Sequence, residues 1–591
     1  MNNQPVKKTA IKTIEKTKTF SATKVFLTVT TVMAFSLAAY AALFMYIEKD
    51  TINPVTKIET KERLVIEGYP HKIMNRNPNS PIAVGNIDPD SIAPEFAFCG
   101  KDGQLYVYNI SAYHYDPYLL TGFPQPGCSS GDIGSAKPAI GDIDGDGQLE
   151  IVVGSYSDSQ RALRLYAYNH DGTKMNANWP ITPDPYLDSR ESITLADTNN
   201  DDILEIIVVG ESYDNPGTFI FDQNGNRLAE LQYGNMTEVS VADLDGDGSV
   251  EIVVGETHRK SGGDDYYTNV SLYDGNGNEL PGDWPKTLDG TVQTNFAIGD
   301  IDTSTSELEI VVACTGLDYN AELTFSDIYV WDYLGNSISS NWPKRITSPE
   351  GYGPSVAGVS IGDIVTNEGE ETTHLEIIAS VVDNLYILDD TGQPINDNWP
   401  LDIDAYVVNP PLIGDFDGDE QADLLVTGFV LDGINTIGRL FVLDSNGESV
   451  LETPDDYLYL HKVEGVTFGA AAADFENDGK TEVIFSVFNE NYQFPTVHGI
   501  YRLDLSSSYD AATMQWSQYE HDGRNTGNYQ SQCSGGTYSG ECSAQKPNYC
   551  QDGELIKNCA ICGCPTSLGS CQSNGSCQKK TPTPSSEILQ P

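Results

Sequence analysis

Between residues 64 and 530 short apolar runs alternate with polar loops, and no long amphipathic helical period develops. One type of run is continuous and β-branched, as in E-I-V-V-G at 251–255 and L-E-I-V-V at 308–312. That pattern predicts buried strands. A second type alternates and stops at a turn: L-Y-V-Y-N at 105–109, L-Y-A-Y-N at 165–169, I-Y-V-W-D at 328–332, L-Y-I-L-D at 385–389 and L-F-V-L-D at 440–444. The turns carry Asp171-Gly172, Asn224-Gly225, Asn276-Gly277 and Asn446-Gly447, pairs that favour tight hairpins. Trp179-Pro180, Trp284-Pro285, Trp342-Pro343 and Trp399-Pro400 then close the unit, with Phe123-Pro124 and Tyr69-Pro70 as worn versions.

An acidic phrase stands before each continuous run. It reads D-I-D-G-D-G-Q-L-E-I-V-V-G at 142–154, D-L-D-G-D-G-S-V-E-I-V-V-G at 243–255 and D-F-D-G-D-E-Q-A-D-L-L-V-T at 415–427. Looser copies begin at Asn86, Asp197, Asp300, Asp363 and Asp474. Such a period marks an array of similar supersecondary units. It is too long for a β-helix rung and matches a four-stranded blade, so the chain is predicted to be all-β, a β-propeller. One blade per phrase makes eight blades; seven plus an accessory repeat is the alternative, because the copy at Asn86 is degenerate. The stretch G-Y-P-H-K-I at 68–73 resembles the W-P-K closing element, and 516–529 follows the last phrase. The two chain ends are therefore expected to share one blade and latch the ring.

The phrase D-x-D-G-D-G-x-x-E-I-V-V-G resembles the FG-GAP/VCBS repeat of integrin α-chain propellers and of many prokaryotic surface proteins. The resemblance spans about 64–530. It implies a propeller with calcium loops, but the repeat serves adhesion receptors, lectins and some polysaccharide lyases, so it implies no single function.

Counting from the first Asp, positions 1, 3, 5 and 9 carry side-chain oxygens, and the backbone at 7 can add a carbonyl. The candidate ligands are Asp142, Asp144, Asp146 and Glu150; Asp197, Asn199, Asp201 and Glu205; Asp243, Asp245, Asp247 and Glu251; Asp415, Asp417, Asp419 and Asp423; and Asp474, Glu476, Asp478 and Glu482. Calcium takes six to eight oxygens in flexible geometry, while magnesium demands a stricter octahedron. Zinc and iron would want His or Cys, which these loops lack. An EF-hand needs a Glu at position 12 and flanking helices; Val153 and Val254 stand there instead. About five Ca2+ sites are expected, acting as staples rather than as a catalytic metal, since they recur round the ring. The copies at Asn86, Asp300 and Asp363 lack the full ligand spacing and are expected to bind poorly.

Charge and cysteine usage place the array. A net charge of -53 argues against nucleic acid as a partner. Residues 1–24 form a basic segment, and 25–47 carry no charge, long enough for a transmembrane signal anchor. Residues 48–63 read as a linker. The expected arrangement is a single-pass cell-membrane protein with its C-terminal part outside, or a secreted one if cleaved at Ala39-Tyr40-Ala41. Cys533, Cys542, Cys550, Cys559, Cys562, Cys564, Cys571 and Cys577 cluster in 531–579, which reads as a disulfide-rich module, with 580–591 as a disordered tail. Cys99 and Cys128 bracket an excursion and are candidates for a further bridge; Cys314 has no evident mate.

No nucleophile elbow, phosphate loop or zinc-protease motif occurs, and the eight histidines form no repeated or paired motif. The expected function is adhesion or binding of an extracellular glycan or protein, through insertions such as 110–131, 258–268 and 316–327. The alternative is a calcium-dependent polysaccharide lyase or another carbohydrate-active enzyme.

Overall fold

The computed structural model describes residues 71–110, 117–130, 137–157, 162–183, 193–210, 217–231, 239–260, 266–292, 296–318, 323–348, 356–365, 374–407, 409–451, 458–460, 469–487 and 499–527, apart from 75–77, 202, 408, 433–434, 519–520 and 523, together with short strand pairs between 532 and 578. The basic segment, the apolar span, the linker and the tail lie outside these residues, as does most of the Cys-rich stretch, where Cys577 is disulfide-bonded. Among the described residues no helix is long and apolar enough to cross a membrane, and the one helical element is a 3-10 turn at Ala511–Thr513.

Eight antiparallel sheets follow in chain order. In blades 1 to 8 the innermost strands are Ala83–Gly85, Ala139–Gly141, Ile193–Ala196, Val239–Ala242, Ala297–Gly299, Val356–Gly362, Leu412–Gly414 and Ala470–Ala473. The second strands begin at Glu95, Glu150, Glu205, Glu251, Glu309, Glu376, Asp423 and Lys480. A third strand pairs with each second one, and most blades add a fourth. The worn copy at Asn86 forms a full blade, so the seven-bladed alternative falls.

Apolar side chains fill the gaps between consecutive sheets. Ala97, Val107, Ile140 and Ile151 join blades 1 and 2; Leu195, Phe219 and Val152 join blades 2 and 3. Phe96, Phe98, Ala471 and Ile484 close blade 8 onto blade 1. Because each blade buries both faces, the second strands read as continuous apolar runs rather than alternating ones.

The latch is formed by one chain end. His71–Met74 is the outer strand of blade 8, with His71 opposite Arg502. The tail does not join that blade, contrary to the expectation from sequence. Residues 513–518, 521–522 and 524–527 instead run round the inside of the ring. Trp516 exchanges backbone bonds with Ile413 of blade 7 at 2.9 and 3.0 Å, and Ala472 N of blade 8 donates to Ser517 O at 2.9 Å. Leu195 N, Val241 N and Ile298 N of blades 3, 4 and 5 donate to Arg524 O, Thr526 O and Gly527 O, each at 3.0 Å. Val84 N of blade 1 donates to Gln518 Oε1 at 3.0 Å, Lys137 Nζ before blade 2 to Asp522 O at 2.7 Å, and Asp363 N of blade 6 to Gln515 Oε1 at 2.6 Å. The segment thus touches all eight blades in one circuit. The physical reason is that innermost strands expose an unpaired backbone edge to the axis, and those donors need acceptors. Two glycines make room for it: a Cβ on Gly362 would stand 2.8 Å from Gln515 Oε1, and one on Gly414 2.5 Å from Met514 Sδ.

The Trp-Pro elements clasp one blade to the next. Trp179, Trp284, Trp342 and Trp399 donate Nε1 to the carbonyls of Gln223, Tyr333, Asp390 and Ser445, at 3.2, 2.9, 2.8 and 2.9 Å. Each acceptor lies in the turn that ends the third strand of the following blade. Cys99 and Cys128 are bridged, with Cα atoms 5.6 Å apart, and Cys314 is free and buried.

Candidate metal centres

Each acidic phrase is the loop between the first and second strands of a blade. The residue before the phrase is Gly or Ala, and it sits directly across from the acid that begins the next run: Gly141 opposite Glu150, Ala196 opposite Glu205, Ala242 opposite Glu251, Gly414 opposite Asp423 and Ala473 opposite Glu482. A small residue there leaves space for a buried carboxylate in the neck of the loop. That carboxylate accepts the backbone N–H of loop position 2, from Ile143 at 2.9 Å, Thr198 at 2.8 Å, Leu244 at 2.7 Å, Phe416 at 3.2 Å and Phe475 at 2.8 Å.

Position 1 organises the tip. Asp142 accepts from Gly145 N at 2.8 Å, Asp146 N at 3.1 Å and Gly147 N at 2.9 Å; Asp415 does the same with Gly418, Asp419 and Glu420. The turn requires left-handed backbone at positions 4 and 6. Glycine supplies it at Gly145, Gly147, Gly246 and Gly248, and Asn200, Asn477 and Glu420 adopt it elsewhere.

The loops bring four groups of carboxylates together with ligand oxygens within 4.8 Å of one another: Asp142, Asp144 and Asp146; Asp243, Asp245 and Glu251; Asp415, Asp417 and Asp423; Asp474, Asp478 and Glu482. These groups could hold a metal ion. Asp243 Oδ1 is buried without a hydrogen-bond partner, an arrangement a cation would satisfy. In the third loop, which is not among these groups, Asn199 donates Nδ2 to Glu205 Oε1 at 2.8 Å, and its amide would have to turn over to present oxygen. In the eighth loop Glu476 is drawn aside, bonded to Arg502 Nη1 at 2.7 Å.

Burial pushes Glu150 and Glu482 up to about 8 and Glu251 to about 7; neighbouring loop carboxylates push the same way, against the backbone donors. Asp423 is held well above its usual range for the same reasons. Without a cation these groups favour protonation, as expected where several carboxylates converge.

Three acids escaped the position count. Glu95, Glu309 and Glu376 occupy the same neck in the first, fifth and sixth loops, across from Gly85, Gly299 and Gly362. Glu309 and Glu376 accept from Ile301 N at 2.7 Å and Ile364 N at 2.8 Å, and Glu95 from Asp88 N at 2.9 Å. Counting to position 9 finds none of Glu95, Glu309 and Glu376, because insertions lengthen those loops. The usable signal was an acid immediately before the continuous apolar run.

Residues 142–208, the second acidic phrase through the third, match the family model of the FG-GAP-like repeat. The protein is an eight-bladed β-propeller with an FG-GAP-like repeat at 142–208. No curated protein matches the chain. Among solved structures the FG-GAP-like propeller is similar to the V. cholerae biofilm matrix protein Bap1, at 14% identity and TM-score 0.37, covering 79% of this chain and 97% of that one. It is also similar to the Dos1 propeller, at 11% identity and TM-score 0.38, covering 76% and 96%. The β-propeller domain of the Trilobed protease from Pyrococcus furiosus matches at 12% identity and TM-score 0.27, covering 64% and 97%.

Proposed function

We propose that the FG-GAP-like propeller is a calcium-stapled extracellular binding protein, tethered to a membrane through residues 25–47, that engages a glycan or protein ligand. The observation that carries the metal part is the convergence of ligand oxygens in four loops, one with an orphaned buried oxygen at Asp243. An all-oxygen donor set of this flexible kind suits calcium better than magnesium or zinc. The staple reading follows from repetition: each ion would tie the neck of one blade, adding stability that depends on free calcium. Chelation is expected to lower the thermal unfolding midpoint of the whole protein, and calcium to restore it. An unfolding curve that chelation leaves in place would refute the staple.

The acidic loops occupy one rim of the ring. The hairpins between second and third strands open at the other rim, where the repeat diverges, and this is the face assigned to the ligand. A glycan array probed with the protein, followed by a screen of surface proteins, tests it.

One observation favours the enzyme reading. In blade 4 His258 Nε2 lies 2.9 Å from Glu256 Oε2, and the imidazole stacks on Tyr267 with centroids 4.9 Å apart. The equivalent positions in blade 2 are Ser155 and Ser157. An imidazole oriented by a buried carboxylate beside a phenol is a base that a polysaccharide lyase would use. Incubation with acidic polysaccharides, with absorbance of unsaturated products as the readout, decides between the readings.

A further inference from the structure

The backbone bonds between ring and tail share a register. The N–H that reaches the inner segment belongs to the residue two places before the acidic phrase in six blades: Val84 before Asn86, Leu195 before Asp197, Val241 before Asp243, Ile298 before Asp300, Ile413 before Asp415 and Ala472 before Asp474. The innermost strands are three or four residues long in these blades, and the docking residue is the last but one, so only a single residue separates it from the acidic loop. Their other edge is held by the second strand, whose first acid closes the loop neck.

We propose that the inner ring is a docking site for the chain's own residues 513–527, and that cations in the acidic loops gate it. The proposal rests on the calcium reading above. An ion drawing carboxylates of positions 1, 3 and 5 towards the neck acid fixes the end of the innermost strand, and with it the direction of the N–H two residues earlier. Without the ion, the carboxylates lose the centre that draws them together, and nothing holds the loop tip to its neck acid. The docking bonds of Val241, Ile413 and Ala472, each beside a loop whose ligand oxygens converge, then weaken together. Side chains anchor the segment as well: Gln515 Nε2 donates to Asp363 O at 3.0 Å, and Gln518 Oε1 accepts from Val84 N. Trp516 is fully buried, and Asn525 donates Nδ2 to Ile193 O at 2.8 Å; the contacts to blades 3, 4, 5, 7 and 8 include main-chain carbonyls of the segment, which follow the direction of the ring N–H groups. Low calcium would therefore release 513–527 from the axis before the blades unfold. Release frees the start of the Cys-rich stretch from the ring and exposes a circle of unpaired strand edges. By reciprocity, a docked segment raises calcium affinity.

The test is amide hydrogen exchange on the full-length protein during a calcium titration, with calcium uptake followed calorimetrically in parallel. The amides of Val241, Ile413 and Ala472, and those of the inner segment, are expected to lose at least about tenfold protection in chelator, well below the unfolding temperature, while Ile252–Val254 in a second strand stay protected. If calcium is taken up and the inner segment exchanges unchanged, the gating is wrong and the staple stands. If no calcium is taken up, both readings fall. Reciprocity supplies the second arm: Trp516→Ala, and the milder Asn525→Ala, are expected to weaken calcium binding about three- to tenfold. Unchanged affinity in a folded Asn525→Ala protein with a loosened segment would overturn the proposal.

Discussion

Arg502 Nη1 donates to Glu476 Oε1 at 2.7 Å, and the same guanidinium also bonds Asp504. The arginine is largely buried, in the third strand of blade 8, and reaches the loop that carries Glu476. The eighth loop thus has a resident cation of its own. In chelator, Arg502→Gln is expected to cost about 3 kcal/mol or more, because two carboxylates lose their buried partner. In calcium the loss is expected to be smaller, since Glu476 is freed to join Asp474, Asp478 and Glu482. The rise in melting temperature on adding calcium should therefore be larger in the variant than in the parent protein. Equal increments would show that Glu476 does not reach the ion.

The raised neck acids dictate how stability depends on pH. Glu150, Glu251 and Glu482 move from an ordinary 4.5 to about 8, 7 and 8 in the cation-free fold, chiefly through burial. The folded state then binds more protons than the unfolded chain between those values, so stability falls as pH rises from about 4.5 to 8. Denaturation in chelator at pH 5.5 and at pH 8 should show the fold more stable at the lower pH. Saturating calcium should flatten that slope, because ion binding displaces the protons. Glu251→Gln keeps an acceptor for Leu244 N but no charge. It should gain stability on the order of 1–3 kcal/mol at pH 8 in chelator and lose the response of its own loop to calcium.

The blades were legible because their signals are local. A small residue, an acidic turn and a β-branched run lie within a dozen positions of one another, as at Gly141 to Gly154. Hence the fold, the loops and the Cys99–Cys128 bridge could be read from the chain. What stayed hidden depends on register between distant segments. Glu95, Glu309 and Glu376 were passed over because inserted residues shift a count without shifting the strand pairing that sets them opposite Gly85, Gly299 and Gly362. Arg502 is 26 positions from Glu476. The inner segment has no strand pattern, since it meets each blade through only one or two bonds, by backbone at some blades and by side chain at others.

The tryptophan clasp makes a prediction about blade-to-blade cohesion. Trp399 Nε1 bonds Ser445 O at 2.9 Å, and Asn398 Nδ2 bonds Asn446 O at 3.0 Å in the same turn. Trp399 is buried. Trp399→Phe keeps much of the apolar contact and removes one donor, leaving a carbonyl to be satisfied by water; the expected cost is about 1 kcal/mol. Trp399→Ala also opens a cavity between blades 6 and 7, for about 3–5 kcal/mol. Urea denaturation of the two variants measures both. Similar losses would mean that the hydrogen bond, not the ring, holds the blades together.

Gly414 and Met514 test the fit between ring and axis directly. Gly414 ends the innermost strand of blade 7 and faces Asp423 across the loop neck. A Cβ there would lie 2.5 Å from Met514 Sδ and 3.3 Å from its Cα. The sulfur can swing away, but the backbone at Cα is held by the Ile413–Trp516 bonds next to it. Gly414→Ala is therefore expected to cost about 1–3 kcal/mol by overpacking. Met514→Ala alone creates a small cavity and costs a comparable amount. Combining them lets the new methyl group take part of the space vacated by the thioether. The double variant should be more stable than the sum of the single losses predicts, with a coupling of about 1 kcal/mol between two residues that touch. Strict additivity would mean that the inner segment is displaced as a whole in Gly414→Ala, rather than strained in place.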